Sequence, residues 1–391
     1  MPYTSRMSPA TTPNSGARAR TGGLPGFWQR ISEGRQLDEL WSQFTADARA
    51  SYGFYMRESG AAEEEMVNQR GRPRFGHIVK TLFWSLVMKL TPARRVLLII
   101  ACALLLVSSV QFKFGKNAEL DLNFTIFSVL VLLLLLALEL ADKVTMKRDL
   151  EIAREIQSWL IPSNPPVVPD ADIAFATRPQ NSVAGDYYDA FYPTTEAGSG
   201  GKLLLVIADV AGKSVPAALL MATLQASLRT IAGEGASLQN LVIRLNRYAS
   251  AYSLDGRRFT TAVIGEYDPA THKLSYVNAG HNPPIIRRLG GTTETLDIGG
   301  LPLGIDSAAV YETGEITLQR GDALILYTDG VVEAFNQRGE EFGNARWLEA
   351  IRGLPDWGAA ESLNFLMRRV DEFVLGTRQS DDITCLVFRC K

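Results

Sequence analysis

Apolar positions along this chain fall into three textures, and each predicts a different kind of structure. Two long runs, Val96 to Phe112 and Leu122 to Leu138, contain no charged residue. Each is roughly 17 residues long, the lower limit for a helix that crosses a bilayer. Only the short polar stretch KFGKNAELD separates them, so the pair predicts a transmembrane hairpin over 93–141. Arg94 and Arg95 precede the first run and Lys143, Lys147 and Arg148 follow the second, while the connecting stretch is near neutral. Cationic flanks stay on the cytoplasmic side, so the expected topology is a two-span protein of the cytoplasmic membrane with both ends in the cytoplasm. Glu139 falls at the cytoplasmic end of the second run, within reach of the interface.

The second texture is helical periodicity on either side of the hairpin. Upstream, Leu40, Trp41, Phe44, Ala48 and Tyr52, and then Ile78, Leu82, Phe83, Leu86, Val87 and Leu90, recur at helical spacing. They predict a helical cytoplasmic region over 27–92, whose second segment fits either packing within that region or contact with the membrane surface. Residues 1–26 mix Pro, Ser, Thr and Gly with Arg6, Arg18 and Arg20 and lack an apolar stretch, which predicts a disordered tail, not a signal peptide. Downstream, Asp142 to Leu160 holds good helix formers with Met146, Leu150, Ala153 and Leu160 on one stripe, and Pro162 stops it. This linker helix, 142–164, is expected to continue out of the membrane and to mediate a homodimer.

After about residue 170 the runs become short and are punctuated by Gly and Pro. KLLLVIADV, FTTAVIGEYD, HKLSYVNAG, ITLQRGDALILYTDG and DDITCLVFRC read as strands, and Pro216–Ala232, Leu238–Ser253, Ala345–Ile351 and Glu361–Val374 as helices. Hairpin-like strand pairs with helices in blocks predict a layered α/β sandwich of largely antiparallel sheets over 165–391.

Composition narrows the chemistry. With 40 basic and 42 acidic residues the net charge is −2, which offers no general field for nucleic acid. The three cysteines form no CxxC pattern, and Cys385, alternating with Leu386 on an apolar strand, reads as core. With only His77, His272 and His281 present, a metal would be held by oxygen ligands.

The carboxylates supply such ligands. Asp209 and Asp329 each end an apolar strand, Asp381 and Asp382 precede one, and Asp186 follows a turn of small residues. A single acid at a strand end is ordinarily a turn residue, but several brought together would repel one another unless a cation neutralised them. Mg²⁺ or Mn²⁺ in a pair meets that need and suits phosphoryl hydrolysis. Gly212 and Gly330 would let backbone and substrate approach closely.

The segments SVAGDYYDAF, IADVAGKSVPAALLMA, NAGHNPP, GLPLGI, LYTDGVVEA and SDDITCLVF, in this order, resemble the SpoIIE-type, RsbU-like branch of the PPM metal-dependent Ser/Thr protein phosphatases. The resemblance covers roughly 150–390, linker helix included, and implies the α-β-β-α sandwich of that family. It implies two Mn²⁺ or Mg²⁺ ions bridged by Asp209, with the Val210 carbonyl on one, Asp329 and Asp381 on the other, and Asp186 acting through water. Asp382 is expected in a supporting hydrogen-bonding role. Ala184 and Ser214 stand where the family usually has Gly. His281 either donates a proton to the leaving alkoxide or pins its turn, and Lys213 either meets the substrate phosphate or is a solvated lysine. The implied substrate is a phosphorylated regulatory protein, of which an anti-sigma-factor antagonist is one kind. The rival expectation is a catalytically silent scaffold that binds a phosphoprotein at the membrane.

Overall fold

A computed structural model of the chain describes residues 84, 87–107, 124–193, 201–253 and 258–391, together with the backbone of 109–114 and 118–123. The expected tail 1–26, and the helical region 27–92 except for its last few residues, lie outside the described residues. The chain divides into two compact units, Met1–Ala141 and Asp142–Lys391.

In the first unit, α1 (Pro92–Val107) is followed by an antiparallel pair, β1 (Ser109–Phe114) and β2 (Ala118–Asn123), and then by α2 (Phe124–Leu160), which continues into the second unit. The expected first span therefore needs correction. Its helix stops at Val107 instead of reaching Phe112, and the second starts at Phe124 instead of Leu122. From Val110 to Phe114 apolar and polar residues alternate, the period of a strand and not of a helix; the end of an apolar run concealed this. At 1.5 Å per residue α1 is about 24 Å long, short of a bilayer core, whereas α2 is long and apolar enough to cross one. The two helices meet where small residues permit it: Ala101 and Ser128 are fully buried, and Ser128 Oγ donates to Ala101 O at 2.7 Å. Arg94 Nη1 donates to Glu139 Oε1 at 2.7 Å at the polar ends of the pair.

The second unit contains β3 (Ala171–Arg178), β4 (Tyr187–Phe191), β5 (Leu203–Val210), α3 (Ser214–Gly233), α4 (Leu238–Ala251), β6 (Thr260–Asp268), β7 (Lys273–Ala279), β8 (Ile285–Arg287), β9 (Thr293–Thr295), β10 (Gly299–Gly300) and β11 (Gly314–Thr317). It continues with β12 (Ala323–Tyr327), α5 (Asp329–Val332), α6 (Gly343–Arg352), α7 (Ala359–Val374) and β13 (Ile383–Cys390). One sheet has the order β10-β7-β6-β5-β4, with β11 also on β7; the other runs β3-β13-β12-β8-β9. All pairings are antiparallel except β10 with β7.

The apolar runs are continuous because the central strands are buried on both faces. Leu204, Val206, Ala208 and Val210 of β5 pack with Met221 and Leu228 of α3 and Leu241 and Leu245 of α4. Leu203, Leu205 and Ile207, the alternate residues, meet Leu324, Leu326, Leu386 and Phe388 of the other sheet. Ile325, Cys385 and Val387 face Trp347 of α6 and Leu363, Leu366 and Met367 of α7. These layers are the expected α-β-β-α sandwich, and Cys385 is in its core. Although α3 is also long and apolar enough to cross a membrane, its stripe Ala217, Met221, Leu224 and Leu228 is buried in this core. The run ITLQRGDALILYTDG, expected as one strand, is split between the sheets: β11 joins one and β12 the other. The chain turns between them through Gly321, at φ +87°, and the bond from Gln319 N to Asp322 Oδ2 at 2.8 Å.

Candidate active site

Strand direction gathers the acids. Asp209 is next to last in β5, and Tyr187 pairs with Ala208, so Asp186 lies at the same end. In the facing sheet, β12 delivers Asp329 where antiparallel β13 begins after Asp381 and Asp382. Asp186 is 2% exposed, and its Oδ2 accepts from Thr328 Oγ1 at 2.9 Å. The same hydroxyl oxygen accepts the Thr384 N–H at 3.0 Å. Asp382 accepts two backbone N–H groups, from Gln180 at 2.6 Å and Gly185 at 2.7 Å. It thereby ties the turn before Asp186 to the start of β13. Asp381 Oδ1 accepts the Asp382 N–H at 2.9 Å, and its Oδ2 lies 2.9 Å from Lys213 Nζ.

Two glycines allow these approaches. A Cβ on Gly330 would stand 1.9 Å from Asp382 O, so the first turn of α5 sits against the Asp381–Asp382 backbone only because no side chain is there. A Cβ on Gly185 would lie 3.1 Å from Val210 O and 3.8 Å from Asp209 Oδ1, which brings that carbonyl and carboxylate against the Asp186 turn. The two departures from the usual glycines have different consequences. Ala184 is buried without a positive φ, whereas Ser214 adopts φ +63°, a conformation that costs a residue with a side chain about 1–2 kcal/mol.

The acids sense one another. Asp209 is pushed up to about 7, first by burial and then by Asp329, Asp381 and Asp382, with Lys213 opposing. Burial and Asp209 raise Asp186 well above the usual carboxylate range. Burial and Asp381 raise Asp329, partly countered by the Gly330 N–H and Lys213. Asp382 is raised by burial despite its two N–H donors.

Residues 199–391 match the family described as Stage II sporulation protein E (SpoIIE). Over 252 residues the chain is 30% identical to the phosphoserine phosphatase RsbU of Bacillus subtilis (strain 168), an alignment covering 63% of this chain and 71% of RsbU. The chain belongs to the SpoIIE family of PPM-type serine/threonine protein phosphatases. It is also 29% identical over 279 residues to protein IcfG of Synechocystis sp. (strain ATCC 27184 / PCC 6803 / Kazusa), across 64% of this chain and 43% of IcfG, so it spans less than half of that relative. Among solved structures, the SiaA-PP2C domain of Pseudomonas aeruginosa superposes with a TM-score of 0.55 at 20% identity, over 64% of this chain and 99% of that domain; the fold is shared.

Carboxylate and backbone carbonyl oxygens such as those of Asp186, Asp209, Val210, Asp329 and Asp381 are chemically suited to hard divalent cations. Burial first and the neighbouring acids second raise these carboxyls, and a bound cation would offset both. Among the described residues, no three His, Cys, Asp or Glu side chains close round one point as a ready cage. Positive charge comes instead from Lys213, whose Nζ also donates to Ser380 O at 2.9 Å.

His281 is committed to the framework. Its Nε2 is 3.1 Å from Tyr327 O and its Nδ1 2.8 Å from Thr261 Oγ1. A carbonyl only accepts, so Nε2 carries the proton and Nδ1 accepts from the threonine. Thr261 pairs with Asp209, and Tyr327 is two residues before Asp329, so the ring braces both sheets at the acid cluster. Burial lowers its pKa to about 4. The unfolded chain then takes up a proton near pH 6.5 that the folded chain refuses, and stability present above that pH is lost as pH falls toward 4. The loss approaches about 3 kcal/mol. Urea denaturation at pH 7 and pH 4.5 should show His281→Gln less stable at pH 7 but with a smaller decline between the two; equal declines would contradict this account.

Sequence reasoning missed Thr328, Thr384 and Gln157. The 7% exposed Gln157 donates from Nε2 to Ala184 O at 2.7 Å and accepts the Ala184 N–H on Oε1 at 3.0 Å. Its signal was present: Gln157 is four residues after Ala153 and three before Leu160, a polar residue set into the apolar stripe of the linker helix.

Proposed function

We propose that this chain is a membrane-anchored, divalent-metal-dependent phosphatase that hydrolyses phosphoserine or phosphothreonine on a regulatory protein. The observation that carries the reading is the gathering of Asp186, Asp209, Asp329, Asp381 and Asp382 at one end of the sandwich, with Asp186 and Asp209 each raised by burial and by neighbouring acids. Asp209 would bridge two Mn²⁺ or Mg²⁺ ions, Val210 O would join one, Asp329 and Asp381 would hold the other, and Asp186 would act through water. When bound, such ions supply a water made acidic enough to attack phosphorus and neutralise the phosphoryl oxygens. Asp382, Gly330 and His281 keep the acids in position; His281, with both ring nitrogens engaged, is not the proton donor to the leaving alkoxide.

Anchoring is supported by α2 and by the large apolar residues on its surface and on α1, among them Ile99, Leu106, Ile126, Leu130 and Leu133, each more than 40% exposed. Two spans with both ends cytoplasmic remain our proposed topology, the shorter α1 crossing where the bilayer thins locally around it. So does the division into 1–26, 27–92, 93–141, 142–164 and 165–391, whose third boundary coincides with the break between compact units after Ala141. Beyond the spans, exposed Val144, Ile152, Ile156 and Trp159 on α2 offer an apolar face for a homodimer. The name of RsbU, a phosphoserine phosphatase, supports phosphoserine as the group removed; the partner we propose is a phosphorylated regulatory protein, of which an anti-sigma-factor antagonist is one kind.

The test is hydrolysis of an aryl phosphate by the full-length chain in detergent. Activity is expected with Mn²⁺, to be lost with excess chelator, and to fall at least about 100-fold in Asp329→Asn. Mn²⁺ binding without turnover would instead identify a silent scaffold.

A further inference from the structure

Lys213 stands among the acids as their counter-ion. Its Nζ lies 2.9 Å from Asp381 Oδ2 and donates to Ser380 O at 2.9 Å, and its charge also acts on Asp209, Asp329 and Glu333. The loop that presents it is tightly set. Gly212 has φ +123° and Ser214 φ +63°, while Lys213 between them is extended at φ −135° and ψ 159°. Ser214 Oγ lies 3.4 Å from Asn181 Nδ2, which holds the loop against the segment before Asp186. The lysine side chain is nonetheless 53% exposed, so it has room to leave.

A metal ion and an ammonium group on the same carboxylate repel each other, and whichever is displaced must find another partner. Resting on the metal-dependent reading above, we propose that Lys213 is a built-in competitor of the metal at Asp381: it neutralises the acid cluster while metal is absent and must swing outward before Asp381 can ligate. The proposal accounts for two observations together. The carboxylates do not close into a cage in this conformation, and the cation that satisfies Asp381 comes from the chain itself.

The experiment is calorimetric titration of Mn²⁺ into metal-free full-length chain in detergent, for native protein, Lys213→Met and Lys213→Arg. A partly exposed ion pair of this kind is worth about fivefold in a binding constant. Lys213→Met is therefore expected to bind Mn²⁺ about fivefold more tightly, with a lower melting temperature without metal and a larger rise on adding it. Lys213→Arg, which keeps the charge, is expected to remain near native. Native-like or weaker Mn²⁺ affinity in Lys213→Met would overturn the proposal, and if this came with a raised KM for a phosphorylated substrate, Lys213 would be a phosphate contact instead. If native protein bound no Mn²⁺, or Asp209→Asn bound it as tightly as native, the metal-dependent reading itself would fall.

Discussion

Asp209→Asn is expected to abolish phosphatase activity and, with metal removed, to make the protein more stable. In the folded chain Asp209 is pushed up to about 7 by burial and by three neighbouring acids. An acid raised on folding costs no stability while it is protonated in both states. The cost grows as pH climbs from the ordinary carboxylate value and is complete above about 7. The rise corresponds to about 4 kcal/mol, and relaxation of the site and water entry reduce this to about 2 kcal/mol. Asparagine keeps the shape and removes the charge, so at pH 8 in chelator the melting temperature should rise by about 5 °C. At pH 5 the gain should be less than half as large. On the proposed ligand assignment, kcat should fall by about 1,000-fold. A metal-free Asp209→Asn protein that melted below native at pH 8 would show that the acids are not short of positive charge. Retained turnover would remove Asp209 from the site.

Gln157→Ala is the second large effect. The amide of Gln157 satisfies both the N–H and the C=O of buried Ala184, two residues before Asp186. Truncation leaves two buried backbone groups unpaired, at about 1–3 kcal/mol each before any water enters. The turn Val183–Gly185, which also donates from Gly185 to Asp382, loses the brace that α2 provides. Activity at limiting Mn²⁺ should fall about tenfold or more and recover in part at saturating Mn²⁺, because the defect is in the placement of the ligands. Ser158→Ala, one residue on and exposed, should change neither. Equal metal dependence in native and Gln157→Ala proteins would sever the linker helix from the site. A rotation or shift of α2 at Gln157 would therefore act on the Asp186 turn directly.

Much of the molecule was legible in the sequence. The strands of 202–210, 259–268, 272–280 and 381–390 and the four long helices of the catalytic part stand within two residues of their expected bounds, since each is a local pattern bounded by Gly, Pro or polar residues. Strands β3, β4 and β8 were not read: Ala171–Arg178 mixes Ala, Thr and Asp, and Ile285–Arg287 is too short to show a period. The end of the first long apolar helix was not legible, because alternation over Val110–Phe114 follows an unbroken apolar run.

The sequence by itself determined which groups are available: the acids at strand ends, the glycine of Asp329–Gly330, the small-residue turn before Asp186, and the family to which they belong. Local spacing suffices for that, because a motif is written within a few residues. Only the tertiary structure decided which groups meet. His281 braces Thr261 to Tyr327, Gln157 reaches Ala184, and Lys213 comes to Asp381. Each of those contacts joins residues at least 20 positions apart through the pairing of strands and the docking of helices, a geometry set by burial across the whole sandwich and by no local pattern.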